Sequence, residues 1–320
     1  MYFRVMLVSL FFFTLTACEG TAIMSTPKKK PVESHSQLAM KAENQFWTTL
    51  HKGSYQDIAQ ADYLLMAAYL QNPNDPKIAA HLGFLHIWKI TERQREKAIP
   101  PTITNEIILS KKYFADAVEL NPSDARFLGF YGDTELVEGK IFHDKREEVR
   151  GYFTLKRAIN KWPEFNYFTA GYILSGQSSK SEHFKQALEW QWNTLDACAG
   201  EKVDRANPVY NAYMKRETQK GPQRACWNSW IAPYNFEGFM MNMGDMLVKS
   251  GDWQTAIIVY QNAKLEKNFM SWPYHQLLEK RIVNARDNVA NFQKKIIDPD
   301  KSIMFNSGYG CAACHQQGSA

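Results

Sequence analysis

The sequence predicts an all-α fold, a row of helical hairpins, on three observations. Small and large apolar residues recur at three- and four-residue steps, the spacing that lines one face of a helix. Proline closes several of these stretches, at Pro73, Pro122 and Pro163. A long amphipathic stripe follows the last of them, where a row of helices needs a cover for its open end.

The elements follow in order along the chain. Ala61, Leu65 and Ala68, ended by Pro73, have the spacing of the second helix of a hairpin, and Leu82, Gly83 and His86 open the next one. The second-helix pattern returns at Ser110, Phe114, Ala117 and Pro122, and again at Gly151, Leu155, Ala158 and Pro163. Tyr167, Ala170, Gly171 and Leu174 begin a further unit in shifted register. The fullest match is late: Gly244, Leu247, Gly251, Ala256, Tyr260 and Ala263, with Ser250-Gly251-Asp252-Trp253 as the turn. A small residue lets two helices approach, a large one three or four positions away fills the groove, and proline ends the second helix. On these positions the chain resembles the tetratricopeptide-repeat family, over Leu38 to Phe269. The resemblance implies an α-solenoid whose inner face binds partner proteins.

The repeats are irregular. Pro73 and Pro122 stand 49 positions apart, beyond the family's period of roughly 34 residues, which predicts an insertion within Thr91 to Ile107. Leu278, Ile282, Ala285, Val289, Phe292 and Ile296 then predict one capping helix over 271–297, stopped by Asp298-Pro299-Asp300.

The chemistry sits beyond that helix. Cys311-Ala312-Ala313-Cys314-His315 has the C-x-x-C-H spacing that attaches haem, and in this it resembles the c-type cytochromes. The resemblance implies one covalent haem c on Cys311 and Cys314, with His315 as an axial iron ligand. For the second ligand, Met304, seven residues before Cys311, leads, and an open or partner-supplied position stands beside it. His275 is near in sequence; His35, His51, His81, His86, His143 and His183 are more remote. His86 and the cluster Met240, Met241, Met243 and Met246 read as repeat core. Other uses of the motif stay open: a redox dithiol, half of a zinc site, or structural thiols.

The other end bears on compartment. Met1 to Ala17 has one basic residue, Arg4, then the apolar run Val5 to Phe13, then Leu15-Thr16-Ala17-Cys18, which resembles a bacterial lipobox. This implies a signal peptide over 1–17, lipidation of Cys18, and a flexible tether over 18–37 containing Lys28-Lys29-Lys30. Glu19, in place of the Asp that favours inner-membrane retention in some bacteria, points to the outer membrane. The repeats then occupy 38–270 and the haem-bearing tail 298–320. Cys198 and Cys226 flank a polar segment and are natural disulfide partners in an oxidising compartment. Closing that loop would stabilise by roughly 3 kcal/mol in the chain-entropy model.

With 45% hydrophobic residues the chain can bury a sizeable core, and its net charge of +5 is dispersed, so nothing marks nucleic acid as a partner. No carboxylate pair, nucleophile with base, or phosphate-binding loop stands out, which gives catalysis little support. The expected function is a lipid-anchored, periplasm-side helical-repeat protein that carries haem for electron transfer to, or redox sensing with, a docked protein. The alternative is an envelope scaffold or assembly lipoprotein without haem. A low-turnover peroxidase would need a distal acid or base that the sequence does not reveal.

Overall fold

The computed structural model describes residues 20–216, 220–294 and 301–318. Cys18, the signal segment and Ile296 lie outside the described residues. Residues 20–25 are helical and exposed, 26–35 carry no regular structure, and the lysine triplet is solvated. The segment is therefore not a uniformly flexible tether. Its far end is pinned to the body, with Ser34 N donating to Asp75 Oδ2 (2.7 Å) and Asn72 Nδ2 to the Val32 carbonyl (2.8 Å).

Helices make up the body, and no strand occurs among the described residues. They are α1 (Gln37–Lys52), α2 (Ile58–Gln71), α3 (Pro76–Thr91), α4 (Asn105–Leu120), α5 (Ala125–Phe142), α6 (Lys145–Lys161), α7 (Pro163–Leu174), α8 (Glu182–Ala199), α9 (Asn235–Ser250), α10 (Trp253–Asn262), α11 (His275–Val283), α12 (Ala285–Gln293) and the single turn α13 (Ala312–His315). Consecutive helices pair most closely as α1/α2, α3/α4, α5/α6, α7/α8 and α9/α10, a row of hairpins in chain order. Local chemistry sets the starts and stops. Ser36, Asp75, Asp124, Asp144, Ser181 and Asp252 each accept a backbone N–H of the helix they precede. Gly53 and Gly251 take the left-handed conformation that ends α1 and α9.

The positions read as repeat core are buried. Ala61, Leu65, Leu82, Ser110, Ala117, Leu155, Ala158, Ala170, Ala256, Tyr260 and Ala263 have no exposed surface. His86 stacks on Tyr113 and bonds Glu106, and the four methionines of α9 are fully buried, so both read correctly as core. Gly151 shows why a small residue is needed: an added Cβ would lie 2.5 Å from Leu136 N and 2.8 Å from the Gly132 carbonyl, in the tightest α5/α6 contact. Gly151→Val is expected to cost about 1–3 kcal/mol, since backbone rather than a side-chain end must give way. A urea midpoint unchanged from wild type would show that the helices part without penalty.

The insertion falls where the spacing puts it, as two 3₁₀ turns, Arg93–Arg95 and Pro101–Thr104, between α3 and α4. The capping helix differs from expectation. It is broken into α11 and α12 at Asn284, whose side chain donates to the Lys280 carbonyl (2.9 Å) and competes with continuation of the helix. Both pieces still cover the last hairpin, burying Leu278, Ala285 and Phe292. Cys198 and Cys226 form a disulfide, Cα atoms 5.7 Å apart, that staples the segment between α8 and α9. Among the described residues no helix is long and apolar enough to cross a membrane.

The described part of the tail is packed onto the body rather than extended from it. Ile303, Met304, Tyr309, Ala312, Ala313 and Cys314 are buried, because its apolar side chains find a surface on the first helices of the hairpins. Gln317 N donates to the His51 carbonyl at the end of α1 (2.7 Å), Cys311 N to Glu92 just after α3 (2.7 Å), and Met304 N to Asp245 of α9 (2.7 Å).

Candidate cofactor-attachment site

The site is one helical turn gripped from several sides. Ala313 N bonds the Tyr309 carbonyl (2.8 Å) and His315 N the Cys311 carbonyl (3.1 Å), which puts Cys311 and Cys314 on one side of the turn. The two thiols are not bonded to one another; Cys311 is half-buried and Cys314 buried. Cys314 Sγ sits against α9, where a Cβ on Gly238 would lie 2.3 Å from it. Trp272 Nε1 donates to the Ala313 carbonyl (2.8 Å), and Tyr234 N to the Cys314 carbonyl (3.0 Å). On the insertion, fully buried Glu92 accepts from Cys311 N (2.7 Å) and Ala312 N (2.8 Å) with one oxygen, Oε1.

The electrostatics distinguish possible chemistries. Burial, with the Glu237 carboxyl nearby, pushes the Cys314 thiol up to about 12; burial and Glu92 raise Cys311 as well. Both are neutral thiols at neutral pH, unlike redox-active C-x-x-C pairs, which carry a thiolate of lowered pKa. Burial lowers His315 to about 4, so its imidazole is neutral at neutral pH. His315 Nδ1 lies 2.8 Å from the Ile231 carbonyl, a contact that requires Nδ1 to carry the hydrogen and leaves the Nε2 lone pair uncommitted. Metal-bound histidines are held in the same way, by a hydrogen bond at the other nitrogen. Among the described residues no three His, Cys, Asp or Glu side chains converge as a metal-holding group.

The surroundings suit a flat apolar macrocycle. Successive first helices each contribute a half-buried ring: Trp47 on α1, Phe84 on α3, Phe130 on α5 and Phe165 on α7. Phe84 meets the His315 ring at 5.5 Å, and Phe84–Phe130 and Phe130–Phe165 follow at 5.8 Å each. Cys311 packs on the same core. Among the described residues the buried Tyr172 hydroxyl has no hydrogen-bond partner, and burial, with Cys311, Cys314 and Glu92 near it, raises its pKa. Neutral thiols, an imidazole with its Nε2 lone pair uncommitted, half-buried rings and an orphaned hydroxyl together fit a covalent haem.

Met304 donates its N–H to Asp245 (2.7 Å), and its side chain is buried in the same core cluster as Ala312, Ala313 and Cys314. The histidine brought beside His315 is His51, whose Nε2 lies 3.3 Å from the same Ile231 carbonyl. His81 is held by Glu43 (2.6 Å) and stacks on Phe46; His275 bonds the Trp272 carbonyl (2.7 Å); His143 ends α5 in left-handed conformation; His183 lies beside Tyr152; His35 is exposed. The stretch that follows Cys226 forms a wall of the site, supplying Ile231 and Tyr234. Glu92, Phe84 and Ile231 had no marker in the sequence, and His51 was one of several remote histidines, since each takes its place through a contact distant along the chain.

Comparison with family models, with curated proteins and with solved structures gives no match.

Proposed function

We propose that the chain is a membrane-anchored, periplasm-side helical-repeat protein of tetratricopeptide type that carries one covalent c-type haem for electron transfer to, or redox sensing with, a docked protein. In this reading Cys311 and Cys314 bind the haem vinyl groups, His315 holds the iron through Nε2, and lipid on Cys18 provides the anchor, at the outer membrane. When bound, the haem supplies a one-electron iron couple. The observation that carries the reading is the neutral His315 imidazole tied through Nδ1 to Ile231 O, within a C-x-x-C-H turn whose thiols are unpaired. The half-buried aromatic row beside it supports an apolar cofactor, and the hairpin surfaces away from the tail remain for a partner.

The test is haem staining and a pyridine haemochrome spectrum on protein expressed with a cytochrome c maturation system. Wild type is expected to hold one covalent haem that survives denaturation, and Cys311→Ala/Cys314→Ala none. Colourless wild type under those conditions overturns the haem reading. It would leave the second one, an envelope scaffold whose tail is a structural clasp, which the thorough burial of Ala312, Ala313 and Cys314 favours.

A further inference from the structure

The insertion after α3 opens with a receptor for the Cys311–His315 turn, and its central group is the carboxyl of Glu92. Glu92 is fully buried. Its Oε1 takes the peptide N–H groups of Cys311 and Ala312 at 2.7 and 2.8 Å, and its Oε2 takes Arg95 Nη1 at 3.0 Å. Arg95 is itself fixed: Nη2 donates to the Gly53 carbonyl (2.9 Å), and its guanidinium lies 5.4 Å from the centre of the Tyr55 ring. The first two N–H groups of a helical turn have no partner within the turn, and a carboxylate there satisfies both while opposing the positive end of the backbone dipole. Here the cap is borrowed from a residue 219 positions away in sequence. Burial raises the Glu92 carboxyl above its usual value, and the Ala312 N–H and the Arg95 guanidinium oppose that rise by favouring the charged form.

We propose that Glu92, braced by Arg95, is a positioning residue for the cofactor-attachment turn: it seats the turn on the hairpins and holds a buried negative charge against it. The first role is independent of any cofactor. The second rests on the haem reading, for a negative charge at the attachment turn favours ferric over ferrous iron and keeps the reduction potential low.

The two substitutions separate the roles, because Glu92→Gln keeps an acceptor oxygen and loses the charge, whereas Glu92→Ala loses both. Amide hydrogen exchange is measured on the full chain in a Cys311→Ser/Cys314→Ser background, where no haem can attach. Glu92→Ala is expected to speed exchange at Cys311→Ser and Ala312 at least tenfold, with the Glu92→Gln turn more protected than the Glu92→Ala turn and both proteins keeping wild-type helical circular dichroism. Equal protection in the background protein and Glu92→Ala overturns the seating role. The haem-loaded protein is then titrated potentiometrically. Glu92→Gln is expected to raise the midpoint by about 59 mV, a tenfold shift of a one-electron couple, with the visible spectrum unchanged. An unmoved midpoint overturns the charge role. Failure to load haem at all would count against the proposed function, and the exchange experiment would still decide whether Glu92 seats the turn.

Discussion

Replacing Arg281 by methionine is expected to destabilise the protein by about 3–5 kcal/mol, as removing one member of a buried ion pair does. Arg281 and Asp245 are both enclosed, Nε and Oδ1 3.5 Å apart. Arg281 also donates to the Ser302 carbonyl and the Tyr309 hydroxyl, while Asp245 accepts from Tyr260 Oη (2.6 Å) and Met304 N (2.7 Å). The pair therefore joins α9, α10, α11 and the first part of the tail, from Ser302 to Tyr309. Burial raises the Asp245 carboxyl, and Arg281 is the first influence opposing that rise. In Arg281→Met the aspartate loses its cation, so the loss should appear as a lower urea midpoint together with faster cleavage of the tail by protease. Arg281→Met/Asp245→Asn should recover part of the loss, because no uncompensated charge is left. Equal stability of Arg281→Met and wild type would mean that Asp245 is already protonated in the fold.

Glu237→Gln should act in the opposite direction, and its effect should depend on pH. Glu237 has no exposed surface, neither carboxylate oxygen has a hydrogen-bond partner, and burial pushes its pKa up to about 8. In the unfolded chain the group ionises near 4.5. Between these two values the folded state holds a proton that the unfolded state has released, so stability falls as pH rises and is lowest above the folded pKa. At 1.36 kcal/mol per unit, the penalty grows to on the order of 4 kcal/mol by pH 9. Apoprotein carrying Glu237→Gln should match wild type near pH 4 and exceed it by about that amount at pH 9. Parallel curves for the two proteins from pH 4 to 9 would mean that the carboxyl ionises in place. Cys314 lies close enough for Glu237 to raise its pKa, so the same substitution should lower the thiol's pKa as well.

Much of the hairpin row was legible because its signal is local. Gly151 and Ala158 on α6, like Ala256 on α10 and Ala263 just after it, occupy positions where any larger side chain would hold two helices apart, and such spacing survives in a bare sequence. The break at Asn284 was hidden, since the stripe from Leu278 to Phe292 keeps its period across it and only the asparagine's bond to the Lys280 carbonyl marks the interruption. The packing of the tail was hidden for a different reason. Phe305 to Gly310 has the composition of a loop, yet Ile303, Met304 and Tyr309 are apolar side chains that a surface rich in aromatic rings will hold. The chemistry of Cys311, Cys314 and His315 was plain from spacing alone. Their neighbours were not, because Glu92, His51 and Ile231 become neighbours only once the hairpins are stacked.

A row of hairpins in which each unit touches only the next should melt as a one-dimensional chain, fraying from its ends. The C-terminal turn changes that topology. By touching His51 and Gly53 at the start of the row and Tyr234 and Trp272 near its finish, it makes the two ends neighbours, so neither can loosen without opening the other. The ladder becomes a ring closed through Ala313, Cys314 and Gln317, and end-fraying gives way to a single cooperative transition.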